Sequence, residues 1–117
     1  MIAGIGLDIV DIERINKAYI KRPSFADRVL TTNEREFFHS LSGTRQIEFL
    51  AGRFSAKEAF SKALGTGIGK LTFLDVEILP DEQGKPVITQ SPFPGKVWVS
   101  ISHTGTIAVA QVVLEDK

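Results

Sequence analysis

After a short N-terminal strand, the spacing of apolar and polar positions is helix-like in the first half of the chain and strand-like in the second. Residues 2–10 form a short apolar run rich in β-branched side chains, which predicts a strand. A helix should follow and run to about Ile20, with Asp11 as its N-cap. The step from Arg22 to Pro23 should close this helix, because a residue before proline avoids helical geometry.

Two more helices are predicted in the first half of the chain. A short one should span about 33–41, with Thr32 as its cap. The longest should span about 44–64 and begin after Gly43. Gly65 should end it, since glycine commonly follows the last helical residue.

The second half shows the patterns of strands. Residues 80–86 contain turn-forming side chains and should connect a hairpin, and Thr104-Gly105 should turn the last two strands back on each other. Helices mainly in the N-terminal half and antiparallel strands in the C-terminal half predict a single α+β domain over residues 1–117. The predicted strands lie at 74–79, 86–89, 96–102 and 107–114.

Composition narrows the possible partners and locations. Fourteen basic residues balance fourteen acidic ones, which argues against wholesale binding to nucleic acid or to an anionic membrane. The absence of cysteine excludes a thiol nucleophile and thiolate zinc sites, and it fits a reducing cytosol. The N-terminus lacks a basic leader, and no apolar run approaches the roughly 20 residues that span a bilayer. We therefore expect a soluble cytoplasmic protein.

Asp8 is an unusual residue for the predicted first strand. It shares one face with Gly6 and Val10, because strand side chains alternate. Leu7 and Ile9 occupy the other face, and both faces are largely apolar. A carboxylate in this position is expected to be partly buried and to need a cation or several hydrogen-bond donors. A turn cap or an arginine partner would meet this need as well as a metal ion would.

The long helix carries a second acid of interest. A helical stripe that begins with Ile47 and Phe54 turns polar at Glu58 and continues with Ser61 or Lys62. This pattern predicts a pocket lined by Glu58, Ser61 and Lys62, although an exposed Glu58–Lys62 pair would give the same spacing. With Asp8 from the strand, Glu58 would suit Mg²⁺, which prefers oxygen ligands and usually takes one or two protein carboxylates.

The glycine-rich segment 65–70 does not match a P-loop. It follows a helix rather than a strand, and three rather than four residues separate Gly65 from Gly69. Gly65 is expected to serve the helix end, whereas Gly67 and Gly69 could let the backbone approach a phosphate closely.

The histidines and the first helix give weaker indications. His103 ends a strand, where histidine is more often structural, and His39 lies on a short helix, so no histidine metal site is predicted. Basic residues on the first helix, spaced i, i+3 and i+7, form either a solvated face or a docking surface for an acidic partner. These residues are Arg14, Lys17 and Lys21.

Three ordered segments resemble the holo-acyl-carrier-protein synthase branch of the 4′-phosphopantetheinyl transferases. They are G-I-G-L-D-I-V-D-I-E-R-I (4–15), R-F-S-A-K-E-A-F-S-K-A-L-G-T-G (53–67) and S-I-S-H-T (100–104). The resemblance implies transfer of the 4′-phosphopantetheine arm of coenzyme A to a serine of apo-acyl carrier protein, in fatty acid biosynthesis. It also implies release of adenosine 3′,5′-bisphosphate and a homotrimer with sites at its subunit interfaces.

The resemblance further implies roles for individual residues. The positions that match Mg²⁺ ligands are Asp8 and Glu58, which with Lys62 form the implied catalytic set. The positions that match coenzyme A contacts are Ser61, Lys62, Gly65, His103 and Thr104. The positions that match carrier-protein contacts are Arg14, Lys17 and Lys21. Lys62 would neutralise charge on the leaving phosphate, and either Glu58 or a water molecule would accept the proton of the acceptor serine.

Two other functions remain open from the sequence alone. The first is a non-catalytic module that binds an acidic protein through the basic first helix. The second is a metal-dependent hydrolase of a nucleoside diphosphate, which would consume coenzyme A without an acceptor.

Overall fold

The structure is a computed structural model that describes residues 1–67 and 71–116. Its helices are α1 (Ile12–Lys21), α2 (Ser24–Val29), α3 (Thr32–Ser40) and α4 (Gly43–Leu64). Its strands are β1 (Ile2–Asp11), β2 (Glu77–Pro80), β3 (Pro86–Gln90), β4 (Lys96–His103) and β5 (Ile107–Glu115), and a short 3₁₀ turn covers Phe73–Asp75. The predicted α+β class is confirmed, with the helices in the first half and antiparallel strands in the second.

The N-terminal strand joins the C-terminal hairpin in one antiparallel sheet with the order β1-β5-β4. In this sheet Asp8 lies opposite Ala110, which in turn lies opposite Ile101. Opposite residues share a face, and Ala110 is buried beneath α4, so Asp8 also projects toward that helix. The hairpin of β2 and β3 forms a separate sheet.

Glycines allow β1 and α4 to approach each other unusually closely. A Cβ atom at Gly6 would overlap the carbonyl oxygen of Ala59, and one at Gly4 would overlap that of Ala63. Larger residues at either position would therefore push the strand and the helix apart. The close approach brings Asp8 beside the C-terminal half of α4.

Two apolar clusters hold α4 along its length. One lies between α1–α3 and the first half of α4 and includes Phe38 and Leu50. The other lies between the second half of α4 and the main sheet and includes Phe60 and Val112. Burial of these side chains fixes the helix that carries several predicted site residues.

A buried ion pair links α4 to the other helices. Lys57 donates to Glu34 Oε1 at 2.6 Å and to the Val29 carbonyl at 2.7 Å, and both charged side chains are fully buried. Glu34 Oε2 accepts from the Ile78 backbone N–H at 2.7 Å. The pair thus joins α2, α3, α4 and β2 at one point.

The outer face of the main sheet, opposite α4, is exposed, and its β1 side is apolar. Ile5, Leu7 and Ile9 project from β1, and Trp98 projects from β4. The prediction that both faces of β1 are largely apolar is confirmed, but within this single chain only the face toward α4 is buried. A contiguous exposed apolar surface of this kind marks a contact surface.

The helix caps differ from those predicted. Thr31, not Thr32, caps α3, because its side chain accepts from the Glu34 N–H while the Glu34 side chain accepts from the Thr31 N–H. This capping box requires the glutamate at the third helical position, which shifts the cap by one residue. Asp11 occupies the N-cap position of α1, but within the described chain it makes no side-chain capping hydrogen bond.

Two elements in the middle of the chain were also mispredicted. The six-residue helix α2 was not predicted, since it is too short to show a helical period. The predicted strand 74–79 is instead a 3₁₀ turn followed by β2, because a Thr72–Asp75 capping box closes the turn first. Within residues 1–67 and 71–116, no helix is both long and apolar enough to cross a membrane.

Candidate active site

Asp8 lies between two donors from α4. Its Oδ1 accepts from Lys62 Nζ at 3.1 Å, and its Oδ2 accepts from the Ser55 hydroxyl at 3.0 Å. Lys62 Nζ also donates to the Leu7 carbonyl at 3.1 Å. The Asp8 side chain is only 13% exposed, whereas that of Lys62 is 53% exposed. The largely buried carboxylate therefore has a cationic partner that solvent can reach.

Glu58 lies one helical turn before Lys62 and close enough to Asp8 for the two acids to repel each other. Burial raises the pKa of Glu58 above its ordinary value, and the negative charge of Asp8 raises it further. The positive charge of Lys62 opposes both effects without cancelling them. The structure thus brings together the three predicted residues of the catalytic set, and it crowds two of them electrostatically.

The donor set at this point fits a hard divalent cation. The described residues contain no group of three or more histidine, cysteine or acidic side chains that could hold a metal ion. A cation between Asp8 and Glu58 would therefore take two carboxylates from the described chain and leave its other positions to water or to a bound anion. Mg²⁺ is commonly bound in this way, and its charge would offset both the burial and the repulsion from Asp8 that raise the pKa of Glu58.

The end of α4 is organised by its own backbone. Ser61 is 1% exposed, and its hydroxyl donates to the Glu58 carbonyl at 2.7 Å, so the side chain does not line an open pocket. Gly65 adopts a left-handed conformation (φ 85°) and ends the helix as predicted. Gly67 is also left-handed (φ 70°). Gly69, the other glycine predicted to approach a phosphate, lies outside the described residues.

His103 and Thr104 lie at the opposite edge of the sheet, on β4 and the turn after it. His103 is partly exposed, and its Nδ1 lies 3.7 Å from Glu48 Oε2. The Thr104 hydroxyl accepts from the backbone N–H groups of Thr106 and Ile107, both at 3.1 Å, and so stabilises the turn between β4 and β5. The predicted turn at Thr104-Gly105 is confirmed.

A groove of about 300 Å³ beside His103 contains two arginines that sequence reasoning missed. Arg45 and Arg53 lie eight residues apart on α4 and therefore on the same side of the helix. Arg53 donates from Nε to the Ile78 carbonyl at 2.9 Å, and its guanidinium lies 4.2 Å from the centre of the Phe49 ring. Burial lowers its pKa to about 10, so the arginine stays charged at neutral pH. The groove is thus a cationic, partly apolar surface.

Within one chain, the groove and the carboxylates of Asp8 and Glu58 are separate sites. The described residues that line the groove include neither Asp8 nor Glu58. His103 is on β4 and Asp8 is on β1, with β5 between them, which separates the strands by roughly 10 Å. The predicted coenzyme A contacts therefore form two separate clusters. One lies at the C-terminal end of α4, and the other lies on β4 and the turn after it.

The predicted basic surface lies on α1, directly after the strand that carries Asp8. Its members Arg14, Lys17 and Lys21 are all exposed. Lys17 pairs with Glu13 at 3.6 Å, but both side chains are about three-quarters exposed, so the pair contributes little to stability. The surface is accessible to a partner.

Comparison with known proteins identifies the family. The model of the 4′-phosphopantetheinyl transferase superfamily matches residues 4–112. The chain belongs to the 4′-phosphopantetheinyl transferase superfamily.

Named relatives of this transferase are similar over their full length. The holo-[acyl-carrier-protein] synthase of Streptococcus uberis is 54% identical over 117 residues, which cover 100% of this chain and 99% of the relative. That of Streptococcus sanguinis is 57% identical, with coverages of 100% and 98%. The crystal structure of a Bacillus anthracis holo-(acyl-carrier-protein) synthase in complex with CoA (3′,5′-ADP) is 52% identical, with a TM-score of 0.92 and coverages of 100% and 99%.

These matches confirm the resemblance to the holo-acyl-carrier-protein synthase branch that the three sequence segments carried. The predicted enzyme, a phosphopantetheinyl transferase, is therefore confirmed over the alternative of a non-catalytic binding module. The matched region contains both clusters of predicted site residues, from Asp8 to His103.

Proposed function

We propose that the chain transfers 4′-phosphopantetheine from coenzyme A to a serine of apo-acyl carrier protein, with Mg²⁺ bound between Asp8 and Glu58. Adenosine 3′,5′-bisphosphate is the second product, and the reaction serves fatty acid biosynthesis. Residues 1–117 form one transferase domain, located in the cytoplasm. The main support is the grouping of Asp8, Glu58 and Lys62 in a chain whose full-length relatives are named as this synthase.

The two acids are placed to hold the metal ion, and Lys62 is placed to meet the pyrophosphate. Bound Mg²⁺ would supply charge neutralisation for the pyrophosphate oxygens. Lys62 has an exposed ammonium group that can turn from Asp8 toward a phosphate, because only its stem is fixed on α4. In that position it stabilises negative charge on the departing adenosine bisphosphate.

The bond changes leave one proton to be placed. The acceptor serine oxygen forms a bond to the phosphorus that carries the pantetheine arm, and the bond from that phosphorus to the bisphosphate breaks. The serine proton passes to Glu58 directly or through water.

The groove beside His103 is our candidate for the nucleotide portion of coenzyme A. Arg45, Arg53 and His103 would meet its phosphate groups, while Phe49 and Ile101 offer apolar contact. A Bacillus anthracis relative has been crystallised in complex with CoA (3′,5′-ADP), which supports a nucleotide ligand for this fold. The exposed basic residues of α1 would contact the acidic carrier protein.

We further propose that the active unit is a homotrimer in which neighbouring subunits share each site. The exposed apolar outer face of the sheet (Ile5, Leu7, Ile9 and Trp98) supports association. The separation of the groove from the carboxylates supports sharing, because a second copy could bring its own groove beside Asp8.

The direct test of the reaction is a mass measurement on the carrier. Incubation of the protein with apo-carrier, coenzyme A and Mg²⁺ should add the phosphopantetheine mass, and EDTA should prevent the addition. Asp8→Ala should abolish transfer while the circular dichroism spectrum stays unchanged. No added mass with several carriers would refute the proposal, and loss of coenzyme A without a carrier would indicate the hydrolase instead.

The test of a shared site is complementation between inactive variants. Asp8→Asn removes the acid half of the site, and the double variant Arg45→Ala/His103→Ala removes exposed groups of the groove half. Equal co-expression should restore about a quarter of wild-type activity, because half of the acid sides and half of the groove sides are intact and each site needs both. No recovery above the separate variants would show that each chain builds its own site.

The test of the assembly surface is sedimentation equilibrium. The wild-type mass should be three times that of one 12.8 kDa chain. Ile5→Glu should give monomers, because it places a charge in the apolar face. Ile20→Glu is the matched control, since Ile20 is at least as exposed as Ile5 but lies on α1 rather than on the sheet.

A further inference from the structure

Ser55 is a fully buried residue of α4 whose hydroxyl touches Asp8. Its oxygen lies 3.0 Å from Asp8 Oδ2 and 3.1 Å from the Asp8 carbonyl oxygen. It also lies one helical turn before Glu58, so the same side of α4 carries both residues. The contact spans the close approach of β1 and α4.

This hydroxyl makes the two carboxylate oxygens of Asp8 unequal. Oδ2 points toward the buried hydroxyl, while Oδ1 meets Lys62, whose side chain is more than half exposed. A serine hydroxyl has one proton to donate, and here both acceptors belong to the same residue. Donation to Oδ2 holds the side-chain torsion of Asp8 and leaves Oδ1 on the side of the half-exposed Lys62.

We infer that Ser55 is a positioning residue that orients Asp8 so that Oδ1 is the oxygen offered to a divalent cation. The inference rests on the proposed function, in which Asp8 is a metal ligand. Hydrogen bonds to a ligating carboxylate orient it and strengthen metal binding, and their loss typically weakens metal affinity by about 10- to 100-fold. Sequence reasoning did not single out Ser55, because a buried helical serine shows no pattern of its own.

A purely structural role predicts a different result. If Ser55 only satisfied the Asp8 carbonyl group, its removal would lower stability and leave the remaining folded protein with unchanged cation affinity. Cation affinity of the folded protein therefore separates the two roles, whereas a melting temperature alone does not.

The experiment measures Mn²⁺ binding to the whole protein, without coenzyme A, from the electron paramagnetic resonance signal of free Mn²⁺. We expect Ser55→Ala to raise the dissociation constant by about 10- to 100-fold. Thr89→Val is the matched control, since it also removes a hydroxyl that donates to a carboxylate, that of Glu77, at 2.7 Å. It should leave Mn²⁺ binding unchanged, because Thr89 is on β3 and away from Asp8.

Transfer kinetics give a second readout. Ser55→Ala should raise the Mg²⁺ concentration needed for half-maximal rate by a similar factor, while kcat at saturating Mg²⁺ stays near that of the wild type. If Ser55→Ala does not fold, Ser55→Cys tests the same point, because its thiol is a weaker donor of similar shape and should give an intermediate affinity.

Failure of the inference and failure of the proposed function can be told apart. Wild-type protein that binds no Mn²⁺, or an Asp8→Asn variant that binds it normally, would overturn the proposed metal site. Normal wild-type binding, loss in Asp8→Asn and wild-type affinity in a folded Ser55 variant would overturn the role of Ser55 alone.

Discussion

Helix α4 carries two lysine–carboxylate pairs that resemble each other in chemistry and differ in use. Lys57 pairs with Glu34 at 2.6 Å, and both side chains are fully buried. Lys62 pairs with Asp8 at 3.1 Å, and these side chains are 53% and 13% exposed. The two lysines are five residues apart, so they leave the helix on nearly opposite sides.

The exposure of the lysine separates the two pairs, since both oxygens of each carboxylate accept a hydrogen bond. Both oxygens of Glu34 are occupied, since Oε1 also accepts from the Thr31 N–H and Oε2 accepts from the Ile78 N–H. Burial lowers the pKa of Lys57, and the contact with Glu34 limits that shift. In the other pair, Lys62 is free to exchange Asp8 for another anion because its head group is exposed. A saturated buried pair holds the fold, whereas an open one can serve a substrate.

The largest expected effect comes from breaking the buried pair. Lys57→Met leaves the charge of Glu34 buried without a cation and should lower the free energy of unfolding by about 3–5 kcal/mol. Urea denaturation followed by circular dichroism measures the change. The double variant Lys57→Met/Glu34→Leu should recover much of the loss, because it removes both charges. If the double variant were as unstable as the single one, the buried charge of Glu34 would not be the cause.

The second prediction breaks the open pair. Lys62→Met should change the free energy of unfolding by less than about 1 kcal/mol, because the lysine is half exposed and Asp8 keeps its bond to Ser55. Its transfer rate should nevertheless fall by roughly 100-fold or more, since a charge that stabilises the leaving group is lost. The mass-shift assay gives the rate. A variant that lost stability but kept its rate would reverse our assignment of the two pairs.

The sequence pattern indicated the residues of the open pair but not those of the buried pair. Asp8 was noticeable because it interrupts an apolar strand, and Glu58 and Lys62 because they turn an apolar helical stripe polar. Lys57 and Glu34 look like ordinary surface charges, and only tertiary packing shows that they meet, 23 positions apart. Local pattern can mark an exception within an element, but it cannot pair charges on different elements.

Tertiary packing also explains why the groove was missed. Arg45 and Arg53 have helical spacing, yet their meaning depends on β4 bringing His103 beside them. The pairing of β1 with β5 is equally non-local, although the strands themselves were predicted close to their observed bounds. The order of the predicted elements was enough to predict the fold class. Only the structure shows that the N-terminal strand pairs with the C-terminal strand.

The third prediction separates the strand that carries Asp8 from the helix that carries Lys62. Gly6→Ala would overlap the Ala59 carbonyl and should destabilise the protein by roughly 1–3 kcal/mol through overpacking. It should also weaken Mn²⁺ binding, because Asp8 and Glu58 would lie farther apart. Gly105→Ala is the control, since a Cβ atom there meets no neighbour within 4 Å. Normal stability and Mn²⁺ affinity of Gly6→Ala would show that the close approach is not needed.

The fourth prediction concerns pH and the structural side of the comparison. Burial alone would raise the pKa of Glu77, but hydrogen bonds from Thr31, Thr89 and Asn33 lower it below its ordinary value of 4.5. The unfolded chain therefore binds this proton more readily, and the stability that Glu77 contributes is lost as pH falls through and below 4.5. Glu77→Gln should flatten the acid limb of stability against pH, measured by urea denaturation. An unchanged limb would contradict the shift.

The smallest expected effect concerns Glu58 in the candidate active site, whose pKa is shifted in the opposite direction to that of Glu77. The pKa of Glu58 is raised above 4.5, chiefly by burial and then by Asp8, so the folded chain binds this proton more readily than the unfolded chain. Stability should therefore fall as pH rises from 4.5 through the raised pKa, and ionised Glu58 should destabilise the metal-free protein at neutral pH.

Glu58→Gln removes this cost and should raise the melting temperature slightly at pH 7 in EDTA, but not below pH 4. Added Mg²⁺ should raise the melting temperature of the wild type and have a smaller effect on Glu58→Gln, because that variant lacks one of the two carboxylates that would hold the metal. Equal melting temperatures for the two proteins at neutral pH in EDTA would show that the acids of the site do not strain the fold.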